Sequence, residues 1–297
     1  DPGVTDAIRV LHVSDIHLNP AGYDLTASLA KQYNVNFIID TGDIVDWGSP
    51  AEAPQLNQIA TYGVPYVYVR GNHDSMAIQA KVASEKNAVV LDDTSTKIDG
   101  LTIAGTGDPR FSPDRETLNG EPLDKAVPAQ AKKFLAMIKT MDPKPDILLM
   151  HDPVAASVLD GTAPLMLAGH KHQRSITQLK KGTMLMVEGS TGGAGLRALE
   201  PDKPTPLEAS ILYFDKKTHK LQAYDEITVG GLGLTEVNIV RKVAPKAAAE
   251  AEKSASEASA SSSSSSPSAD SPGGGQSSGA STSAGAPVPT GSAGPTS

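Results

Sequence analysis

Cysteine is absent from all 297 residues, which excludes disulfides and thiolate metal sites, so any metal must be held by oxygen and nitrogen. Long apolar runs are absent too. None approaches the ~20 residues of a membrane span, and no secretory leader is visible. Positive charge is scarce: 26 Lys and Arg stand against 34 Asp and Glu, a formal charge of -8. With no basic footprint, no obligatory nucleic-acid partner is expected. A small anionic substrate is compatible with that charge, because bound cations reverse the local field. The chain opens at Asp1 rather than Met, and the expectation is a processed or truncated product, with a leader or membrane segment able to have preceded it.

What is present falls into two parts. Residues 7–241 carry frequent apolar runs and read as one globular domain. Residues 245–297 are Ser-, Gly-, Pro- and Ala-rich, including the run Ser261 to Ser266. Such a segment has little to bury and is expected to be a disordered linker-like tail, with a stalk or a glycosylated tail as alternatives.

Within the first part, β-like runs alternate with helical stretches. Ile8–Val13, Val35–Ile39 and Val64–Val69 read as strands, with helices over Leu25–Gln32 and Ala53–Tyr62 between them. This β-α-β-α-β order predicts an α/β fold with parallel strands and covering helices. A helix is expected over 76–87, then a hairpin joining Val89–Leu91 to Leu101–Ala104 through an Asp99-Gly100 turn. The long connection 105–128 precedes an amphipathic helix over Ala129–Met141. Asp146–Met150, Leu165–Ala168, Thr183–Val187, Ala209–Phe214 and Leu221–Val229 read as further strands, and Val237–Val240 as a candidate for one more.

In sheets of this kind chemistry collects where strands give way to loops at their carboxyl ends. There the chain places Asp15 and His17, Asp43 and Asp46, Asn72-His73-Asp74, His151, and His170 with His172. Asp15 and His17 are two apart in an extended segment, so both reach one side, and His170 with His172 repeats the spacing. Each piece has a bland reading. A lone Asp-x-His is commonly a surface pair, and Gly-Asp after a strand is commonly a turn. His12 reads as a satisfied core residue and His219 as a solvated turn residue. The conjunction of clusters at strand ends carries the metal reading. Asp43 is placed to bridge two cations, which ~4 Å apart clamp a phosphoryl group and activate water.

These residues resemble the calcineurin-like metallophosphoesterase superfamily. Its motifs stand here as Asp15-Ile-His17, Gly42-Asp-Ile-Val-Asp46, Gly71-Asn-His-Asp74, His151 and Gly169-His-Lys-His172, and the likeness spans about residues 8–240. The resemblance implies a two-sheet β-sandwich flanked by helices, with the strands from 183 onward building the second sheet. It implies one cation on Asp15, His17, Asp43 and His172 and a second on Asp43, Asn72, His151 and His170. It further implies that a hydroxide between them attacks phosphorus and that His73 protonates the leaving oxygen or steadies the developing charge, with Asp46, or alternatively Asp74, orienting its ring. The donor set suits Mn, Fe, Zn or Ni. The activity implied is phosphoester hydrolysis, with a diester (a cyclic nucleotide among them) ahead of a monoester of phospholipid or sugar phosphate type. A non-catalytic metal-binding scaffold is the alternative of another class.

Two loops are weighed against ordinary surface turns: Asp108 with Arg110 as an anion clamp, and Ser190–Arg197 as a source of phosphate-binding N–H groups. Arg70 is read as pairing with an acidic neighbour. An extracytoplasmic or cell-surface location is expected from the cysteine-free composition and the tail, with a cytoplasmic one as alternative.

Overall fold

Strands that are almost continuously apolar need cover on both faces, and the architecture supplies it. The computed structural model describes residues 6–195, 205–230 and 235–245. In chain order the strands are β1 (Ala7–Val13), β2 (Phe37–Asp40), β3 (Tyr66–Tyr68), β4 (Ala88–Val90), β5 (Thr94–Ile98), β6 (Leu101–Gly105), β7 (Arg110–Phe111) and β8 (Glu116–Thr117). They continue as β9 (Ile147–Leu149), β10 (Leu165–Ala168), β11 (Ser175–Gln178), β12 (Met184–Val187), β13 (Leu207–Asp215), β14 (Leu221–Val229) and β15 (Val237–Val243). The helices are α1 (Pro20–Gln32), α2 (Met76–Ala83), α3 (Leu123–Thr140) and α4 (Ala156–Leu159), with tighter 3-10 segments over Ala53–Thr61 and Pro153–Ala155.

One sheet runs β15-β14-β13-β1-β2-β3-β4 and the other β11-β12-β10-β9-β6-β5. Side-chain alternation divides each strand between two cores. Val10, Phe37, Ile39 and Val67 point between the sheets, where they meet Ile103, Ile147, Leu149, Leu167 and Met186. Leu11, Val13, Ile38, Tyr66 and Tyr68 point outward onto Leu29, Leu56, Ile59, Ile78 and Val82 from α1, α2 and the first 3-10 segment. On the far side Ala104, Leu148 and Met166 take Phe134, Ile138 and Leu159 from α3 and α4. The result is a four-layer sandwich, helices outside and two sheets within. Removing the Phe134 ring from its layer would cost about 3–5 kcal/mol.

Several expectations need correction. The strands after residue 205 do not build the second sheet. β13 pairs antiparallel with β1 from Ala7↔Asp215 to His12↔Ser210, so β13, β14 and β15 extend the first sheet. Only β11 and β12 close the second. The expected hairpin is displaced: β4 lies parallel to β3, and the partner of β6 across the Asp99-Gly100 turn is β5. Positive φ at both turn residues (50° and 93°) matches the tight turn that such a pair favours. α1 begins at Pro20, five residues before the expected Leu25, because Asn19 caps it by accepting from the Ala21 N–H. The 105–128 connection contains the β7–β8 ribbon and the first turn of α3. Of the segment 245–297, only Pro245 lies among the described residues.

Candidate metal centre

The parallel strands β1, β2 and β3 of one sheet and β9 and β10 of the other end on the same edge of the sandwich, and each delivers its polar loop there. The turns are tight. Asp15, His17, Asp43, His170 and His172 all adopt left-handed backbone conformations, with φ between 48° and 71°. That region is costly for residues with a side chain and collects at functional sites. At Gly71 a side chain would collide with the Asp43 carboxylate, 2.2 Å from where its Cβ would stand, so the β2 and β3 loops touch through bare backbone.

The loops bring the expected residues together in two groups. Ligand atoms of Asp15, His17 and His172 lie within 4.8 Å of one another, as do those of Asp43, His151 and His170. The Nε2 atoms of His17 and His172 face each other at 3.0 Å. Asp15 Oδ1 sits 3.2 Å from His172 Nε2 and 3.8 Å from His17 Nε2. Asp43 Oδ2 stands between the groups, 3.2 Å from His151 Nε2 and 3.9 Å from His17 Nε2. Asn72 points its amide oxygen at His151 Nε2 (3.1 Å), while its amide N–H donates to Ser112 Oγ and fixes that orientation.

These side chains fit cations rather than one another. Asp15 Oδ2 accepts from Ser14 Oγ and from the His170 N–H, whereas the buried Oδ1 has no hydrogen-bond partner. An unpartnered buried carboxylate oxygen beside two imidazole nitrogens is costly unless a cation completes it. His151 donates from Nδ1 to the Thr41 carbonyl at 2.7 Å, which leaves Nε2 as a lone pair aimed into the group. Burial pushes the His170 imidazole down to about 4, helped by the neighbouring His151, so His170 stays neutral as ligation requires. Burial opposes the charged forms of Asp43 and His151, yet their mutual attraction holds Asp43 low and His151 high. A divalent cation held between Asp43 and His151 would take over the role of that proton.

Asp46 and Asp74 behave differently from the expectation. The Asp46 carboxylate is turned to His17 instead of His73, at an ion-pair distance of 3.0 Å from His17 Nδ1 though outside hydrogen-bond geometry. The link to His73 is made by the Asp46 backbone carbonyl, 2.6 Å from His73 Nδ1. Asp74 is committed elsewhere. Its carboxylate accepts from the N–H groups of Gly71, Asp43, Ile44 and Val45 and from the Tyr68 hydroxyl, and so clamps the β2 and β3 loops together. His73 is half-buried, its ring edge-on to His17 at 5.3 Å.

The two loops weighed as substrate walls turn out to be braces. Arg110 is tied to Asp108 through two hydrogen bonds and to Asp152 through a third. The Thr191 and Gly192 N–H groups donate to the Ser14 and Asp15 carbonyls, and Ser190 Oγ donates to the Asp15 carbonyl while accepting from the Ala194 N–H. This segment supports the Asp15 turn instead of offering donors to a ligand; Arg197 lies outside the described residues. Arg70 donates to Gln79 and to the Asp108 carbonyl and pairs with Asp92, as expected of it. His12 is a core residue bonded to Thr41 Oγ1. His219 is half-buried rather than solvated, packed over Gly100.

Sequence reasoning passed over Asp152 and Glu52. Asp152 caps the second 3-10 segment through the Val154 N–H and lies 3.5 Å from His170 Nε2. Glu52 gathers the N–H groups of Asp46, Trp47 and Ser49. Asp152 had a cue, its place directly after His151 and before Pro153 as a capping residue; Glu52, between two alanines, had none.

The calcineurin-like phosphoesterase family model matches residues 8–174, more than half of the chain. This chain belongs to the calcineurin-like phosphoesterase family. The family is one of metal-dependent phosphoester hydrolases, and the two donor groups are this chain's candidate cation sites. Among curated proteins it is similar to the DNA double-strand break repair protein Mre11 of Sulfurisphaera tokodaii, 23% identical over 221 residues. That match covers 61% of this chain and 53% of the relative, so this phosphoesterase spans about half of Mre11's length. Among solved structures it resembles the protein TT1561 of Thermus thermophilus with a TM-score of 0.53 at 15% identity. The match takes in 73% of this chain and 97% of that one, a likeness of fold. Among the described residues no helix is long and apolar enough to cross a membrane.

Proposed function

We propose that this phosphoesterase hydrolyses a small phosphodiester at a two-cation centre. One cation would be held by Asp15, His17, Asp43 and His172, and the other by Asp43, Asn72, His151 and His170. The observation that carries this reading is the position of Asp43 Oδ2 between the two groups, where one carboxylate serves both. When bound, the cations supply the positive charge that holds and polarises the phosphoryl oxygens and makes water acidic enough to react. The donor set is compatible with Mn, Fe, Zn or Ni, and Mn is the first to try.

The protein's own residues do the rest. The Asp46 carbonyl accepts a hydrogen bond from His73 Nδ1–H, which leaves Nε2 as the atom to exchange a proton with the leaving oxygen. The Asp46 carboxylate keeps His17 turned toward its group, and Thr41 does the same for His151. The preference for a diester rests on charge. A diester carries one negative charge and a monoester close to two, and among the described residues Arg70 and Arg110 are already engaged by Asp92, Asp108 and Asp152. A formal charge of -8 favours a small ester over a nucleic-acid duplex.

The test is hydrolysis of bis(p-nitrophenyl) phosphate beside p-nitrophenyl phosphate with added Mn²⁺, with Asp43→Ala in parallel. The expected result is faster turnover of the diester and a fall of more than about a hundredfold in Asp43→Ala, together with reduced bound metal. Preference for the monoester would replace the diester reading. Failure of both esters with all four metals would favour a scaffold.

A further inference from the structure

The chain has a single tryptophan, and it stands beside the catalytic histidine's support with its side chain in solvent. Trp47 is 68% exposed. It follows Asp46, whose carbonyl holds His73 and whose carboxylate holds His17. Isolated exposed apolar residues are ordinary, so exposure alone says nothing. The setting is what is unusual: the segment 46–49 is fastened from two sides. Glu52, itself buried, accepts the N–H groups of Asp46, Trp47 and Ser49 and the Ser49 hydroxyl. Across the segment, Ser75 donates to the Gly48 carbonyl at 2.6 Å. A side chain at Gly48 would run into the Phe111 ring and the His73 carbonyl, so the backbone passes directly against both.

A rigid loop therefore presents the largest aromatic surface in the chain next to the proton-exchanging residue. The neighbouring apolar groups are the half-buried Phe111 and the exposed Met76, which directly follows Ser75. A loop fixed in this way loses little conformational entropy when a ligand lies against it, which is the condition for an effective binding surface. The ligand that fits is a phosphoester carrying a flat ring within reach of its phosphate. Indole offers a π face for offset stacking on such a ring, and stacking of a nucleobase on an aromatic side chain tolerates any base.

We propose that Trp47 is the specificity-determining residue of this phosphoesterase, stacking on the nucleobase of a nucleotide substrate whose phosphate lies at the cation centre. The assignment rests on the phosphoester-hydrolase reading for the phosphate end and adds the class of group attached to it. His73 meets the leaving oxygen, and the backbone on either side of Trp47 runs against His73 through the Asp46 carbonyl and Gly48, so the base is assigned to the departing half of the ester.

Because Trp47 is the sole tryptophan, its fluorescence reports on this position alone. The full chain, loaded with Zn²⁺ to avoid paramagnetic quenching, is titrated with adenosine 5′-monophosphate and separately with ribose 5-phosphate. The two ligands share sugar and phosphate and differ in the base. Quenching or a spectral shift is expected with the nucleotide and little change with the sugar phosphate. As competitors of chromogenic ester hydrolysis, the nucleotide should lose about 5- to 150-fold in affinity in Trp47→Ala and much less in Trp47→Phe, with ribose 5-phosphate unaffected. Equal responses to the two ligands, or none to the nucleotide, overturn the assignment, even where Asp43-dependent hydrolysis shows that the enzyme reading stands. Loss of hydrolysis with retained nucleotide quenching would instead remove the enzyme reading and leave the base-binding site in place.

Discussion

The two halves of the metal centre contain similar donors and are held in different ways. In the half built on His17, the imidazole is oriented by a side chain, the Asp46 carboxylate. In the half built on His151, it is oriented by main chain, the Thr41 carbonyl at the end of β2. Support from the main chain comes with the strand and survives substitution, whereas support from a side chain can be removed by one mutation. The His17 half also leans on the 189–195 segment through Ser190 and Thr191. The two halves should therefore differ in how easily each is emptied.

The sharpest way to erase that difference is Asp74→Ala, because Asp74 serves both sides. It accepts from Asp43, Ile44 and Val45 on one loop and Gly71 on the other, and from Tyr68. Buried donors left without a partner cost about 1–3 kcal/mol each. Even after relaxation the variant should lose on the order of 3 kcal/mol or more of stability and both cations, checked by urea unfolding and metal content. Near-native stability would show that the loops hold without the clamp.

A smaller, one-sided effect is expected from Asp46→Ala. Its carbonyl stays to hold His73, while His17 loses its carboxylate. Loss of such a supporting group weakens a metal site about 10- to 100-fold. Metal titration should show one weakened and one nearly unchanged site. Asp152→Ala, which touches His170 only at 3.5 Å, should reverse the asymmetry with a milder shift. Equal weakening of both sites in Asp46→Ala would remove the distinction between the halves.

An effect confined to low pH lies outside the donors, at His12. Burial, assisted by the charge of Arg174, lowers its imidazole from 6.5 to about 3, so it is neutral in the fold. A histidine depressed in this way contributes stability that is complete above pH 6.5. It is lost as pH falls toward 3, where the unfolded chain binds a proton that the fold refuses. His12→Gln should flatten that acid limb in unfolding measurements at about pH 4.5 and 7.5 in chelator, with little change at the higher pH. An unchanged limb would assign acid sensitivity to other groups.

Much of the centre was legible because its residues follow directly on the strands that carry them. A run such as Asp146–Met150 ending in His151, or Leu165–Ala168 ending in Gly169-His170, announces both the strand and the edge on which it ends. Sheet membership was not legible. β13 is buried on both faces along nearly its whole length, and a strand of that kind fits either sheet; the choice is made by its antiparallel match to β1. Supporting roles were equally hidden. Gly-Asp-x-x-Asp places Asp46 near the centre but does not say that its side chain turns to His17 while its carbonyl turns to His73. Nor does Asp74, next to His73 in the chain, reveal that its partners lie on the β2 loop some thirty positions earlier.

The Asp74 clamp has a consequence for how this molecule can be altered. By binding residues 43–45 and 71 to one carboxylate, it makes two loops into a single part with no spare length. An insertion in either would have to pull the other with it. Freedom to accept a new substrate therefore lies where the border of the centre is neither clamped nor braced, in the largely exposed residues 113–122 of the long connection. Anyone reshaping the enzyme would begin there, leaving the clamped pair as it stands.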